Sequence, residues 1–306
     1  MIGDKSMPDD MSSNMDQLRL LPNLLERPIR KFEVGGRVLL IDEKGREAFI
    51  KLKDGGQSHT HAGYILHDDI IGKHDGFKYV TNTGSSFVAL IPGLDDMVLK
   101  MPRGAQVIYP KDLGAILIEA DIFPGAKVLE SGVGSGALSM TLVRAGANVT
   151  GYEIREDFAA RAIENVSMLA RRGTSGSYKI HIKDIYQGIS ESEYDRVVLD
   201  LPEPWLVVPF LAGSVVEGGR VLAYQTSINQ VAQFKHELSK AGFSFIRTIE
   251  VLHRGWYIEG RAVRPDHRMV AHTGFLTSAR YIPGLARERK DSARGGVGLS
   301  ELGNEA

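Results

Sequence analysis

The chain has 306 residues, room for two domains, and its 43% hydrophobic and 25% charged residues are ordinary for a globular protein. It contains no cysteine, which excludes a disulfide scaffold, a cysteine-ligated metal or iron–sulfur site and a cysteine nucleophile. The formal charge of -1 gives no overall attraction to a polyanion, so any nucleic-acid surface has to come from local basic clusters.

Uninterrupted apolar runs stay short of the roughly 18 residues of a membrane span, and the polar start around Asp9 and Asp10 lacks a secretory layout. A cytoplasmic enzyme is the expectation. Residues 1–31 read as an N-terminal extension. Over 32–100, the strand-like runs Glu33–Ile41, Glu47–Leu52, Phe77–Val80 and Phe87–Ile91 alternate with turn signals such as Asp54-Gly-Gly, His74-Asp-Gly and Asn82-Thr-Gly. That pattern predicts a small β-rich domain. A break near Met101-Pro102-Arg103-Gly104 opens a second domain, 101–281.

Here the rhythm changes. Short strands are expected at Lys127–Glu130, Asn148–Glu153, Tyr178–Lys183, Asp195–Asp200 and Gly219–Gln225, with helices at Ala137–Arg144, Asp157–Arg171 and Ile228–Lys240. The alternation predicts an open, mainly parallel α/β sheet covered by helices, a Rossmann-like arrangement. Phe243–His253 and Met269–Ala279 read as two longer strands for an antiparallel edge. The glycine- and charge-rich residues 282–306 read as a flexible tail.

The first chemical signal is Glu130-Ser-Gly-Val-Gly-Ser-Gly136, set between a strand and a helix. Glycines at 132, 134 and 136 let the backbone turn sharply beside a ligand at a helix N-terminus. A dinucleotide fingerprint places its third glycine three positions after the second, whereas Gly136 follows Gly134 by two. No lysine or arginine stands in the loop to meet a pyrophosphate. Glu130 precedes the loop, where it can orient it or receive a cationic end of the ligand. Glu153 closes the next strand, placed to accept from ribose hydroxyls, and Asp184 closes the one after, within reach of an adenine amino group. Three acids along one crevice and a phosphate-free loop favour S-adenosylmethionine over NAD.

The substrate side is read from Asp200-Leu-Pro-Glu-Pro-Trp205. Two prolines fix the exit from the sheet, and an acid beside the methyl donor with Trp205 near suits a planar, amine-bearing substrate. The segment resembles the Asp/Asn-Pro-Pro-aromatic motifs of amino-directed methyltransferases, with a spacer before each proline. Tyr109 and Tyr224 stand near element ends facing the same crevice and can stack on or fence a base. Basic groups that could serve RNA are Lys100/Arg103/Lys111, Arg171/Arg172, His253/Arg254, Arg261/Arg264/His267/Arg268 and Arg287/Arg289/Lys290.

With His67-Asp-Asp-Ile-Ile-Gly72, Met101-Pro-Arg-Gly104, Val107-Ile-Tyr-Pro-Lys-Asp112, the glycine loop, Asp200–Trp205 and Arg264-Pro-Asp-His-Arg-Met269 in this order, the chain from about 32 to 280 resembles the tRNA (adenine-58-N1)-methyltransferase family in its bacterial and archaeal form. The resemblance implies a small N-terminal β domain, a Rossmann-like catalytic domain, a homotetramer, and methyl transfer from S-adenosylmethionine to N1 of adenine 58 in tRNA. It implies that Asp200 is the catalytic aspartate and that Tyr109 and Tyr224 belong to the substrate pocket. Glu153 would hold the cofactor ribose, Asp184 its adenine end, and Gly132, Gly134, Ser135 and Gly136 its methionine portion. Gln106, just before a strand at Val107, would also face the cofactor. Ser131 stands where the family often has alanine. The missing cysteines exclude the intersubunit disulfides of some archaeal relatives. Neither a metal nor a membrane is implied. Methylation of a neighbouring adenine such as position 57, of another amine, or a noncatalytic RNA-binding role stay open.

Overall fold

The computed structural model describes residues 31–102, 104, 106–170 and 176–285. These fall into two compact units that part between Pro92 and Gly93. Most of the expected N-terminal extension and C-terminal tail lies outside the described residues, as do Arg103, Arg171, Arg172, Arg287, Arg289 and Lys290.

The first unit holds β1 (Arg37–Asp42), β2 (Glu47–Lys51), β3 (Gln57–Thr60), β4 (Gly63–Leu66), β5 (Phe77–Val80) and β6 (Ser86–Leu90). Four of these form an antiparallel sheet in the order β2-β1-β6-β5, and β3 pairs with β4 as a separate hairpin. Alternation drives the packing: Val38 and Leu40 of β1 and Phe87 and Ala89 of β6 face one core with Ile50, Ile65 and Ile70. The β3–β4 hairpin, which the polar Gln57-Ser-His-Thr run conceals in the sequence, is tied by buried His67. Its Nδ1 accepts from the Lys53 amide (2.9 Å), which leaves Nε2–H to donate to Ser58 Oγ (2.8 Å).

The second unit opens with two helices, α1 (Leu94–Lys100) and α2 (Pro110–Glu119). It continues with β7 (Lys127–Ser131), α3 (Ala137–Arg144), β8 (Asn148–Glu153), α4 (Glu156–Ala170), β9 (Ser177–Ile182), β10 (Tyr194–Leu199), α5 (Val208–Leu211), β11 (Val215–Gln225) and α6 (Ile228–Lys240). The strands β12 (Phe243–Glu250), β13 (Trp256–Glu259), β14 (Ala262–Pro265) and β15 (Phe275–Tyr281) close it. The large sheet runs β12-β15-β11-β10-β7-β8-β9, parallel from β11 to β9, with β15 inserted antiparallel between β11 and β12. From β7 the chain winds first toward β8 and β9 and then returns to β10. The carboxyl ends of β7 and β10 therefore flank the switch point where such sheets bind ligands.

The structure departs from the expected elements in a few places. The units part earlier than the Met101–Gly104 break, because Leu94–Lys100 is a helix of the second unit with Met97 and Val98 buried and Asp96 accepting from the Gly93 amide (2.8 Å). Val107–Tyr109 is not a strand; it leads into α2, whose Pro110 occupies the first turn, where a missing N–H is harmless. The strand expected from Met269 starts only at Phe275, and the strand expected to reach His253 ends at Glu250. Between them the β13–β14 hairpin stands exposed, with Trp256, Ile258 and Val263 outward.

Among the described residues no helix is long and apolar enough to cross a membrane, and no group of three or more His, Cys, Asp or Glu side chains could hold a metal ion. The core under β10 and β11 is built on Val197, Leu199, Val221, Phe234 of α6 and Phe243. Phe234→Ala should destabilise this unit by about 3–5 kcal/mol through cavity formation. Urea unfolding followed by tryptophan fluorescence reads this unit, since Trp205 and Trp256 both lie in it.

Candidate active site

The site starts from how β7 ends. Gly132 has φ +83°, and a Cβ there would fall 1.9 Å from the carbonyl oxygen of Asp200, so only glycine lets the two backbones meet. The Asp200 amide donates to the Ser131 carbonyl (2.8 Å), which locks the ends of β7 and β10 in register. At the other end of the loop, Gly136 precedes α3 with φ +84°, and a Cβ there would press on Ala162 of α4 at 3.0 Å. The Ser135 carbonyl accepts from the buried Asn165 amide (2.8 Å), which also reaches Met101 Sδ (3.5 Å). Asn165 gave no signal in the sequence because it sits inside an otherwise ordinary helical pattern. Ser131 is buried, and among the described residues its hydroxyl reaches the Tyr152 carbonyl (3.5 Å), so it leaves the turn undisturbed.

Three acids stand at or just beyond the ends of neighbouring strands. Glu130 of β7 is fully buried, and no described residue reaches its oxygens in good hydrogen-bond geometry, although the hydroxyl and amide of Ser139 lie close enough to favour its ionised form. Burial pushes its carboxyl up to about 8; nearby Ser139 opposes that shift, while the charges of Asp200 and Glu153 add to it. Glu153, ending β8, accepts from the amides of Gly134 (3.0 Å), Ile154 (2.9 Å) and Arg155 (3.0 Å). Asp184 follows β9, one strand further out, where Oδ1 accepts from the Tyr186 amide (2.9 Å) and caps a 3-10 turn. Ile154, which sequence reading passed over, lies exposed right after Glu153 and offers an apolar surface for a purine ring.

These residues suit S-adenosylmethionine. Its ammonium and sulfonium carry positive charge, and Glu130 is a buried carboxyl that a nearby cation would help to ionise, beside a loop that leaves open space over Gly134. Glu153 and Asp184 stand at the ends of successive strands, with exposed Ile154 directly after Glu153. Gln106 is exposed on the segment entering α2, which is not a strand.

On the other side of the switch point stands Asp200. No hydrogen bond from the described residues reaches its carboxylate, and burial alone raises it to about 7. Tyr224, 9% exposed at the end of β11, donates its hydroxyl to the Thr273 carbonyl (2.6 Å). Burial, and then the charges of Asp112, Asp200 and Tyr109, push its phenol up to about 12 despite that hydrogen bond, so Tyr224 stays a neutral donor. The same charges show that Tyr109, the residue before α2, and Asp200 both lie near enough to Tyr224 to act on its phenol.

Two expectations are corrected here. Trp205 is half-buried against the core under β10, with Pro204 buried beside it, so it props the exit loop more than it fronts a substrate. Lys111, counted among basic surface groups, is 6% exposed and ion-paired to the fully buried Asp112 (2.8 Å).

A parallel sheet with one inserted antiparallel strand, a glycine loop at its switch point and acids on successive strand ends defines an S-adenosylmethionine-dependent methyltransferase. Comparison with known proteins narrows the class. The family described as "tRNA methyltransferase complex GCD14 subunit" matches residues 87–264, and the "TrmI-like N-terminal" family matches residues 31–77. The tRNA (adenine(57)-N(1)/adenine(58)-N(1))-methyltransferase TrmI of Methanocaldococcus jannaschii is 32% identical, over 80% of this chain and 95% of its own length. The tRNA (adenine(58)-N(1))-methyltransferase TrmI of Thermus thermophilus is likewise 32% identical, over 80% of this chain and 96% of its own. Among solved structures, an S-adenosylmethionine-dependent O-methyltransferase of Thermotoga maritima superposes with a TM-score of 0.75 at 33% identity, covering 82% of this chain and 95% of that one. The tRNA (m1A58) methyltransferase TrmI of Aquifex aeolicus gives 0.70 at 27% identity, over 83% of this chain and 99% of that one. The chain belongs to the TrmI-like tRNA (adenine-58-N1)-methyltransferase family of bacterial and archaeal type.

Glu130 makes stability depend on pH. Its carboxyl titrates near 8 in the folded protein, against 4.5 for a freely solvated glutamate side chain, so the fold holds an extra proton between these values. Stability from this group is complete at low pH and is lost as pH rises through that window. Glu130→Gln keeps the shape without the charge. Its melting temperature relative to cofactor-free wild type should therefore climb as pH is raised from about 5 to about 9, measured by calorimetry, while its affinity for S-adenosylmethionine falls.

Proposed function

We propose that this protein transfers the methyl group of S-adenosylmethionine to N1 of adenine 58 in the T loop of tRNA. The observation that carries the reading is Asp200: a half-buried carboxylate without a hydrogen-bond partner among the described residues, fixed against the glycine loop through Gly132 and close enough to Tyr224 to raise its phenol. Membership of the family supports the substrate, and the names of the Thermus and Aquifex relatives support the position.

S-adenosylmethionine supplies a methyl group made electrophilic by its sulfonium. Adenine N1 carries an in-plane lone pair, so it attacks without prior loss of a proton, and the ring becomes cationic as the bond forms. Asp200 accepts a hydrogen bond from the N6 amino group, and its negative charge stabilises the charge that develops on the ring. Tyr224 and Tyr109 wall the base so that N1 points at the methyl, and this positioning supplies much of the remaining rate. Glu153 and Asp184 would hold the ribose and adenine of the cofactor, Glu130 would face its cationic end, Gly132, Gly134, Ser135 and Gly136 would cradle its methionine portion, and Gln106 would also face it.

The net charge of -1 asks that tRNA be held by local cations. His253, Arg254, Arg261, Arg264, His267 and Arg268 all stand exposed on and beside the β13–β14 hairpin. A homotetramer in the cytoplasm completes the reading; it would bring such hairpins from several subunits to one tRNA, and light scattering checks the assembly. Methylation of adenine 57 as well is favoured by the Methanocaldococcus relative, whose name includes both positions.

The direct test is transfer of labelled methyl to unmodified tRNA with the modified nucleotide mapped. Label at N1 of adenine 58, lost in a transcript with that adenine replaced, supports the reading; label elsewhere moves the target, and no label removes the tRNA substrate. Asp200 must be ionised to act, and it titrates near 7. The single-turnover rate should therefore rise with pH through about 7 and then level off. Asp200→Asn should abolish that rise and slow transfer by about 100-fold or more, with cofactor affinity changed by less than about threefold.

A further inference from the structure

Lys111 and Asp112 form a buried ion pair that the chemistry above does not use. Burying such a pair adds little stability against an apolar alternative, and a lysine in the first turn of α2 also opposes the helix dipole. Every donor in the cluster nevertheless has one assigned acceptor. The Lys111 ammonium donates to Asp112 Oδ1 (2.8 Å), to the Val251 carbonyl (2.7 Å) and to Thr273 Oγ1 (2.5 Å). The Thr273 hydroxyl in turn donates to Asp112 Oδ2 (2.7 Å). A closed network of this kind has a single arrangement, which joins the start of α2, the end of β12 and the entry to β15.

One tyrosine hangs from it directly and the other from the helix it anchors. The Tyr224 hydroxyl is tethered to the carbonyl of Thr273, and its ring lies so close to Gly274 that a Cβ there would come within 2.6 Å of it. Tyr109 is the residue from which α2 starts, its carbonyl accepting from the amides of Asp112 (2.9 Å) and Leu113 (3.0 Å) in the first turn, so fixing that turn through Lys111 and Asp112 fixes its backbone. We infer that Lys111, Asp112 and Thr273 are positioning residues, a clamp that sets the spacing of Tyr224 and Tyr109 across the base pocket beside Asp200. The inference rests on the proposed role of that pocket. It also explains why the lysine is withdrawn from the surface, where it would have served RNA.

Thr273→Val tests it, because it removes the hydroxyl and keeps the carbonyl that Tyr224 uses. Expected are cofactor affinity within about twofold of wild type, half-saturation by tRNA within about threefold, and a single-turnover rate lower by about 10- to 100-fold, the cost of a misplaced base. Thr273→Ser should restore the rate to within about threefold. Tyr224→Phe, which lacks the tether, should lose a similar factor, and the double variant should be no slower than the slower single one. A Thr273→Val protein at wild-type rate, or losses that multiply in the double variant, overturns the clamp. Should Thr273→Val not fold, Tyr224→Phe decides: a rate equal to wild type overturns the clamp, and a loss within the expected range supports it. If wild type methylates no tRNA, the functional reading fails separately. The crystal structure of Thr273→Val then decides the clamp, a displaced Tyr224 ring supporting it and an unmoved ring overturning it.

Discussion

The carbonyl of Asp200 packs on the Cα of Gly132, at a contact no side chain could share. Through it the glycine loop after β7 and Asp200 after β10 are held in one register, reinforced by the Asp200 amide bound to the Ser131 carbonyl. The neighbouring parallel strands carry this register outward, so Glu153 follows from β8 and Asp184 from β9. A methyl donor held on the loop and a base held by Asp200 would then meet at a distance set by the backbone, which is the kind of preorganisation in-line transfer needs.

Electrostatics fits that geometry. Glu130 and Asp200 are both raised by burial, to about 8 and about 7, and Glu153 lies near enough to add to the first. Crowded carboxylates are costly until a cation arrives. The reaction brings positive charge twice over, first on the sulfonium of the cofactor and then on the methylated ring. The same acids can therefore favour cofactor binding on one side of the switch point and the transition state on the other.

Much of this could be read from the chain itself. The glycine loop, the acids at 130, 153 and 184, and Asp200 are local patterns fixed to strand ends, and α3, β8 and α6 fall at the expected residues. What stayed hidden depends on long-range contact. Lys111 and Asp112 look like surface charges until β12 and β15 close over them, a partnership spanning 140 and 162 positions of the chain. Asn165 is an unremarked helix residue until the Ser135 carbonyl is seen above it. The short α1 and the polar β3–β4 hairpin carry too little periodicity to announce themselves, and Trp205 could not be sorted between core and substrate without its neighbours.

The central claim is that Asp200 acts through the N6 amino group of the target base. Its most direct test is single-turnover methylation of a tRNA transcript carrying purine, which lacks that amino group, in place of adenine 58. The rate with wild-type protein should drop by about as much as Asp200→Asn loses on adenine, and Asp200→Asn should lose little more on the purine transcript. A purine transcript methylated at the rate of adenine, or losses that multiply, would contradict it.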